Sequence, residues 1–513
     1  MTKIHQFFIF LHAKFQSNIY NYYFYNYFLS EKNPITFETK KLRFMKLNSH
    51  ILVVVFAVTI LLFSCTNSKT EKEVQKTNIL LINIDDMGWR DVGFMGSEYY
   101  ETPNIDKLAA GGMIFTNAYA AAANCAPSRA CLMSGQWTQR HGIYTVGSSE
   151  RGKSKTRKLI PTKNNEVLPD SQYILTEALK DAGYITCHAG KWHLNDDPTT
   201  QGFDVNIGGS HAGNPGSYYP PYKRVQSLEA PSPGYYLTNL VMDKTLEFLN
   251  SVNDAPFFMY YSPYAVHTPI QPVKSLLPKY ENKQEWNGQN NAKYATMVEN
   301  LDIQIGRMIA NLEKSGKLKN TFILFISDNG GLYRVTKQWP LRAGKGAYYE
   351  GGIREPMFAY WDGKIKAATK SNVPVTNLDF YPTILEVAGI KKPAGKILDG
   401  QSFLPVLKGG DLNERPLFWH FPIYLEGGNI ETQDKMFRTR PGSAIRLGDW
   451  KLIQYFENND IELYNLKDDI GEKNNLAELN PEMVRKLTGM LESWRTKTGA
   501  PVPTELNPDY IGN

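Results

Sequence analysis

From about residue 77 onward, apolar and polar positions alternate between short strands and amphipathic helices. Asn78–Ile84 is a mostly apolar, Ile-rich run that suits a strand buried on both faces, and it stops at Asp85-Asp86-Met87-Gly88. Residues 102–109 predict a helix closed by Gly111-Gly112, and residues 171–182 a second one stopped at Gly183, with a short strand over 184–189 behind it. Residues 256–262 and Thr321–Ser327 read as strands, and residues 294–314 and 377–388 as helices. This alternation predicts an α/β domain over residues 78–400, its mostly parallel sheet sandwiched by helices. Beyond residue 400 the pattern shifts to short antiparallel strands near 417–420, 443–446, 450–456 and 461–464, then a closing helix over 481–496. A smaller C-terminal α+β domain over 401–513 is expected.

The first 65 residues follow a different pattern. No glycine occurs before Gly88, and 13 of the first 44 residues are Phe or Tyr without helical or strand period. A second start stands at Met45, with a short basic lead and 13 nearly pure apolar residues over 51–63. That is the length of a signal-peptide core and is short for a bilayer span. Ser64-Cys65 after the apolar run resembles a bacterial lipobox, which implies lipidation of Cys65. The expected organisation is an N-terminal extension not belonging to the protein (1–44), a lipoprotein signal (45–65) and a linker (66–77). The expected location is periplasmic or on the outer membrane of a Gram-negative bacterium.

Composition then narrows the function. The 513 residues are 42% hydrophobic and 21% charged, enough to build a sizeable core. The net charge of +6 hints at an acidic partner, yet residues 1–64 carry seven Lys or Arg against two Asp or Glu. From Cys65 onward fifty basic residues face forty-nine acidic ones, so global charge identifies no partner and nucleic acid is not expected. Four cysteines exclude a disulfide-built scaffold, and Cys131 and Cys187 read as small buried hydrophobes.

Two strand ends carry paired polar groups: Asp85-Asp86, and Asp328-Asn329 followed by Gly330-Gly331. In an open α/β sheet, sites form at the carboxyl ends of strands. Four hard oxygen-bearing side chains suit Ca²⁺ or Mg²⁺, although each pair alone fits turn-making as well. The stretch Cys125-Ala126-Pro127-Ser128-Arg129, with Leu132-Met133-Ser134-Gly135 after it, resembles the sulfatase signature that directs oxidation of its cysteine to formylglycine. Gly190-Lys191-Trp192-His193-Leu194 and Glu350-Gly351-Gly352-Ile353-Arg354-Glu355-Pro356 also look like that family, and the likeness covers about residues 77–500. The chain is thus identified as similar to type I, formylglycine-dependent sulfatases of the alkaline phosphatase superfamily.

The resemblance implies an enzyme, a sulfuric ester hydrolase acting on sulfated carbohydrate. Hydrated formylglycine (3-oxoalanine) at position 125 would attack sulfur with one hydroxyl, and ionisation of the other would expel sulfate. It also implies Ca²⁺ held by Asp85, Asp86, Asp328 and Asn329 together with residue 125, and a maturation enzyme that oxidises Cys125. Arg129 would support the aldehyde hydrate, Lys191 and Lys345 the sulfate. His193 would act as base in regeneration, and His267 would help clamp the sulfate and act as acid for the leaving group. Lys191 and His193 project to one side if residues 190–194 are extended. Sugar-reading residues are expected among His211, Arg334, Trp339, Arg342 and His420, whereas His141 and His188 read as structural. Asn195 stands where the family commonly has glycine. Two rival readings stay open: a phosphodiesterase or phosphonate monoester hydrolase of the same superfamily, and a glycan-binding lipoprotein with unmodified Cys125.

Overall fold

The computed structural model describes residues 75–512; the leader, Cys65 and most of the linker lie outside them. No helix among the described residues is long and apolar enough to cross a membrane. The central sheet comprises β1 (Asn78–Ile84), β2 (Met113–Phe115), β3 (Ile185–Gly190), β4 (Val205–Ile207), β5 (Phe257–Ser262), β6 (Thr321–Ser327), β7 (Met357–Trp361) and β8 (Thr369–Ser371). Its order is β4-β3-β5-β1-β6-β7-β2-β8. Pairing is parallel except around β7, which runs antiparallel to β6 and β2. The expected mostly parallel sheet is therefore present, with one reversed strand.

Every residue of β1 is buried because the sheet is covered on both faces. Leu80, Ile82 and Ile84 face one core with helices α1 (Pro103–Ala110), α4 (Leu237–Ser251) and α5 (Ala292–Lys314). Ile79 and Leu81 face the other, with α2 (Cys125–Ser134), α3 (Leu175–Asp181) and α6 (Phe380–Val387). Helix α3 starts four residues later than the 171–182 expectation, because the Glu177 carboxylate accepts the Ile174 N–H at 2.7 Å and caps it there. The 377–388 segment opens as a 3₁₀ turn over Asn377–Asp379 before α6.

In the C-terminal part, β9 (Leu417–Phe421), β10 (Gly442–Leu447), β11 (Trp450–Tyr455) and β12 (Ile461–Asn465) form an antiparallel sheet in that order. The closing helix α7 (Pro481–Thr498) buries Leu487, Leu491 and Trp494 against Ile445, Leu452 and Leu463 on one face. Trp419, Ala444, Ile453 and Tyr464 pack with Tyr119, Tyr348, Tyr349 and Ile353 of the catalytic domain. Lys451 makes that junction ionic: its Nζ lies 2.9 Å from Glu350 and 2.8 Å from Glu472, and all three side chains are fully buried.

Candidate active site

Strand register builds the site. Ile84 pairs with Ser327 across β1 and β6, so Asp85-Asp86 and Asp328-Asn329 emerge side by side at the carboxyl edge. Asp86 takes a left-handed φ of 58°, a conformation aspartate tolerates better than most residues. Gly330 and Gly190 let loops approach closely. A Cβ on Gly330 would stand 1.9 Å from Gly351 O, and one on Gly190 2.1 Å from Ser262 O.

Cys125 opens α2, where the Asn124 side chain accepts its N–H at 3.0 Å. The positive end of this wholly buried helix thus points at the residue where an anion would sit. One turn on, Arg129 is fully buried. Its Nε donates to Asp328 Oδ2 at 2.8 Å and its Nη1 to Lys191 O at 2.7 Å and to Ser262 Oγ. Lys191 Nζ contacts both Asp85 oxygens at 2.9 and 2.8 Å. Lys345 Nζ lies 2.5 Å from Asp86 Oδ1 and 3.7 Å from Cys125 Sγ. Three carboxylates therefore face three cationic side chains around the thiol, which meets the high cost of burying so many charges.

Burial alone would raise Asp86, but Lys345, His267 and Lys191 hold it below the ordinary carboxylate range. His267 Nε2 is 3.5 Å from Asp86 Oδ2, and its Nδ1 sits 2.8 Å from Thr268 O. Burial pushes His267 down to about 3. His193 is likewise held neutral by burial and by Lys191, Arg129 and Lys345, and its buried Nδ1 has no partner. The expected extended run over 190–194 is not kept: His193 has φ 68°, because its N–H turns to Ser210 O at 2.9 Å. Asn195 holds that loop by accepting Trp192 Nε1–H at 2.7 Å.

The donor set suits a hard divalent cation. Ligand atoms of Asp85, Asp86 and His267 lie within 4.8 Å of one another, and the buried Asn329 Oδ1 has no hydrogen-bond partner while Nδ2 donates to Asp86 at 2.8 Å. An orphaned amide oxygen among carboxylates is what a cation would satisfy. Asp328 Oδ2 is turned to Arg129, and His267, read from sequence as a sulfate clamp, stands with the acids.

The structure thus brings together Cys125, Arg129, Lys191, His193, His267, Lys345, Asp85, Asp86, Asp328 and Asn329. The sugar-reading candidates divide. His211 flanks the site, its ring 6.2 Å from that of His193. Arg334 is exposed, and the half-exposed Trp339 borders a cleft of about 580 Å³. Arg342 lines the same cleft, where it lies 3.8 Å over the Tyr349 ring and donates to Glu431 O, Tyr464 and Glu472 O. His420 is a correction. It is buried, with its ring nitrogens at 2.8 Å from Ser443 Oγ and 2.9 Å from Pro501 O, so it packs the C-terminal domain rather than facing a sugar. His141 and His188 are buried as expected, and Cys125, Cys131 and Cys187 are free thiols.

Sequence reasoning missed several supports. Ser262 accepts from Arg129 at the end of β5. Tyr218 anchors the His267 segment, donating to Tyr264 O at 2.5 Å and lying 2.9 Å from His267 O. Tyr218 belongs to a Gly- and Tyr-rich loop, and that richness is the local signal for it. Nothing local in the sequence marks Ser262.

Comparison with known proteins agrees with this geometry. The sulfatase family profile matches residues 77–390, and the N-sulphoglucosamine sulphohydrolase C-terminal profile matches residues 344–497. A sulfatase of Formosa agariphila is 33% identical, covering 85% of this chain and 92% of that protein. Human N-acetylgalactosamine-6-sulfatase is 32% identical over 67% of this chain and 68% of its own. The crystal structure of Ps i-CgsB superposes with a TM-score of 0.68 at 30% identity, covering 84% of this chain and 95% of that one. The chain belongs to the sulfatase family, sulfuric ester hydrolases on an alkaline-phosphatase-like fold.

Proposed function

We propose that this enzyme is exported and removes sulfate from sulfated carbohydrate, using a formylglycine made from Cys125 and a Ca²⁺ ion. The observation that carries this reading is the Cys125 thiol at a helix N-terminus, 3.7 Å from Lys345 Nζ and beside the Asp86 carboxylate. Relatives lend the substrate class: one is named N-acetylgalactosamine-6-sulfatase, and Ps i-CgsB has been crystallised with k-i-k-neocarrahexaose. Formylglycine, once hydrated, supplies the attacking hydroxyl and a second hydroxyl whose ionisation releases sulfate. Asp85, Asp86, Asp328 and Asn329, with residue 125, would hold Ca²⁺, which would supply charge against the sulfate oxygens.

The chain's own residues do the rest. Lys191 and Lys345 bind sulfate oxygens from fixed positions, so little reorganisation is needed as charge develops. His267 gives its Nδ1–H to Thr268 O, so Nε2 is the nitrogen that exchanges a proton with the leaving oxygen, and only the doubly protonated ring beside Asp86 can donate one. Neutral His193 accepts the proton when the aldehyde is regenerated. Arg129 fixes Asp328 and the backbone of Lys191.

The leader at 45–65 supports export and a lipid anchor on Cys65. A maturation enzyme would oxidise Cys125, and radiolabelled fatty acid should enter the native protein but not Cys65→Ser. The activity is tested by comparing aryl sulfate with aryl phosphate at matched concentration and by measuring sulfate released from sulfated oligosaccharides. Faster sulfate-ester turnover is expected. Much faster phosphate turnover would overturn the reading in favour of a phosphodiesterase or phosphonate hydrolase.

A further inference from the structure

One guanidinium at the mouth of the site has no anionic partner. Arg438 lies on the short strand Phe437–Thr439, which pairs with Leu425–Glu426 in the C-terminal part. Its Nη1 is 3.5 Å from the backbone oxygen of Lys345, the residue whose Nζ reaches Cys125 Sγ. Its side chain also covers Gly346: a Cβ there would lie 3.1 Å from Arg438 Cδ. The only other hydrogen bond recorded for this half-buried guanidinium goes to Gly427 O at 3.3 Å. Among the described residues no carboxylate comes within ion-pair distance of it. The nearby Glu426 is already taken by Arg151, which grips both of its oxygens.

A second cation is close to Arg438. Arg334 is exposed, makes no ion pair among the described residues, and acts on Arg438 as a like charge, against the pull of Asp86 and Glu426. A half-buried guanidinium without an ion pair, close to a like charge, is costly to hold unless an anion joins it. The chain from Cys65 onward is nearly neutral overall, so this excess is local. Both forks suit planar, bidentate recognition of carboxylate or sulfate oxygens.

We infer that Arg438, with Arg334, forms a second anion subsite that reads a carboxylate or a second sulfate ester on the saccharide whose sulfate is removed. This rests on the sulfatase reading above and narrows its substrates to saccharides bearing more than one negative group.

The test uses saccharides of one scaffold carrying a single sulfate, two sulfates, or one sulfate beside a uronate. Wild-type enzyme should favour one of the doubly charged forms, and which one identifies the anion. In Arg438→Ala the preference in kcat/KM should fall about tenfold or more, through KM, while Arg438→Lys keeps part of it. Calorimetry of Cys125→Ala with the same saccharides should show the same loss of affinity when Arg438→Ala is added, with an unchanged melting temperature. A preference that moves by less than about twofold, or an equal loss for all three saccharides, would overturn the subsite. Wild-type protein that releases no sulfate from any of them would defeat the sulfatase reading instead, and the calorimetry would still decide the subsite.

Discussion

At the residue scale the site is a balance of charges in which each carboxylate has a named cation: Asp85 with Lys191, Asp86 with Lys345, Asp328 with Arg129. A divalent cation would add positive charge that a sulfate ester and an ionised nucleophile together cancel. Lys345 is the cation nearest the thiol, and its partner Asp86 is also met by Asn329. Lys345→Ala should therefore lower kcat for an aryl sulfate by about 10²–10³-fold, the usual cost of losing one preorganised donor. A fall of only a few-fold would remove Lys345 from the sulfate-binding group. The residue types at the site were legible in the sequence because each sits in a short motif at a strand end or helix start. His420 misled for the opposite reason. It is a polar residue in the right neighbourhood, and only packing shows that Ser443 and Pro501 already occupy its ring nitrogens.

At the element scale, strands buried on both faces announce themselves as apolar runs, and β1 and β6 fall where the runs are. The helix Leu237–Ser251 was passed over although Leu237, Leu240, Val241, Phe248 and Leu249 mark its buried face at helical spacing. The direction of β7 could not be read, because an apolar run carries no record of which way its neighbours point. Three-residue strands such as Met113–Phe115 are too short to show a period. The Glu350–Lys451–Glu472 cluster ties the Glu-Gly-Gly segment to the C-terminal sheet across a long sequence separation, which no local pattern reveals. Lys451→Met should destabilise the protein by about 3–5 kcal/mol, since it leaves two carboxylates buried beside each other. Denaturant unfolding checks this. A loss below about 1 kcal/mol would mean that the junction is held by its apolar contacts.

At the scale of the whole molecule, three histidines outside the reacting group are buried neutral. Burial pushes His141, His188 and His420 each down to about 3 from 6.5. Unfolding returns them to 6.5, so between these values the unfolded chain binds more protons than the folded one. Their contribution to stability is complete above pH 6.5 and is lost as pH falls toward 3. The melting temperature should decline steadily below pH 6.5 on their account, and a value flat down to pH 4 would contradict it.

Architecture and chemistry meet at one position, residue 125, where a ten-residue buried helix begins beneath Lys345. The most direct measurement is mass spectrometry of the peptide containing residue 125, from protein purified from its native source and active on a sulfated saccharide. The account predicts an aldehyde-bearing formylglycine in place of cysteine. An intact thiol at position 125 in protein that still releases sulfate would contradict it.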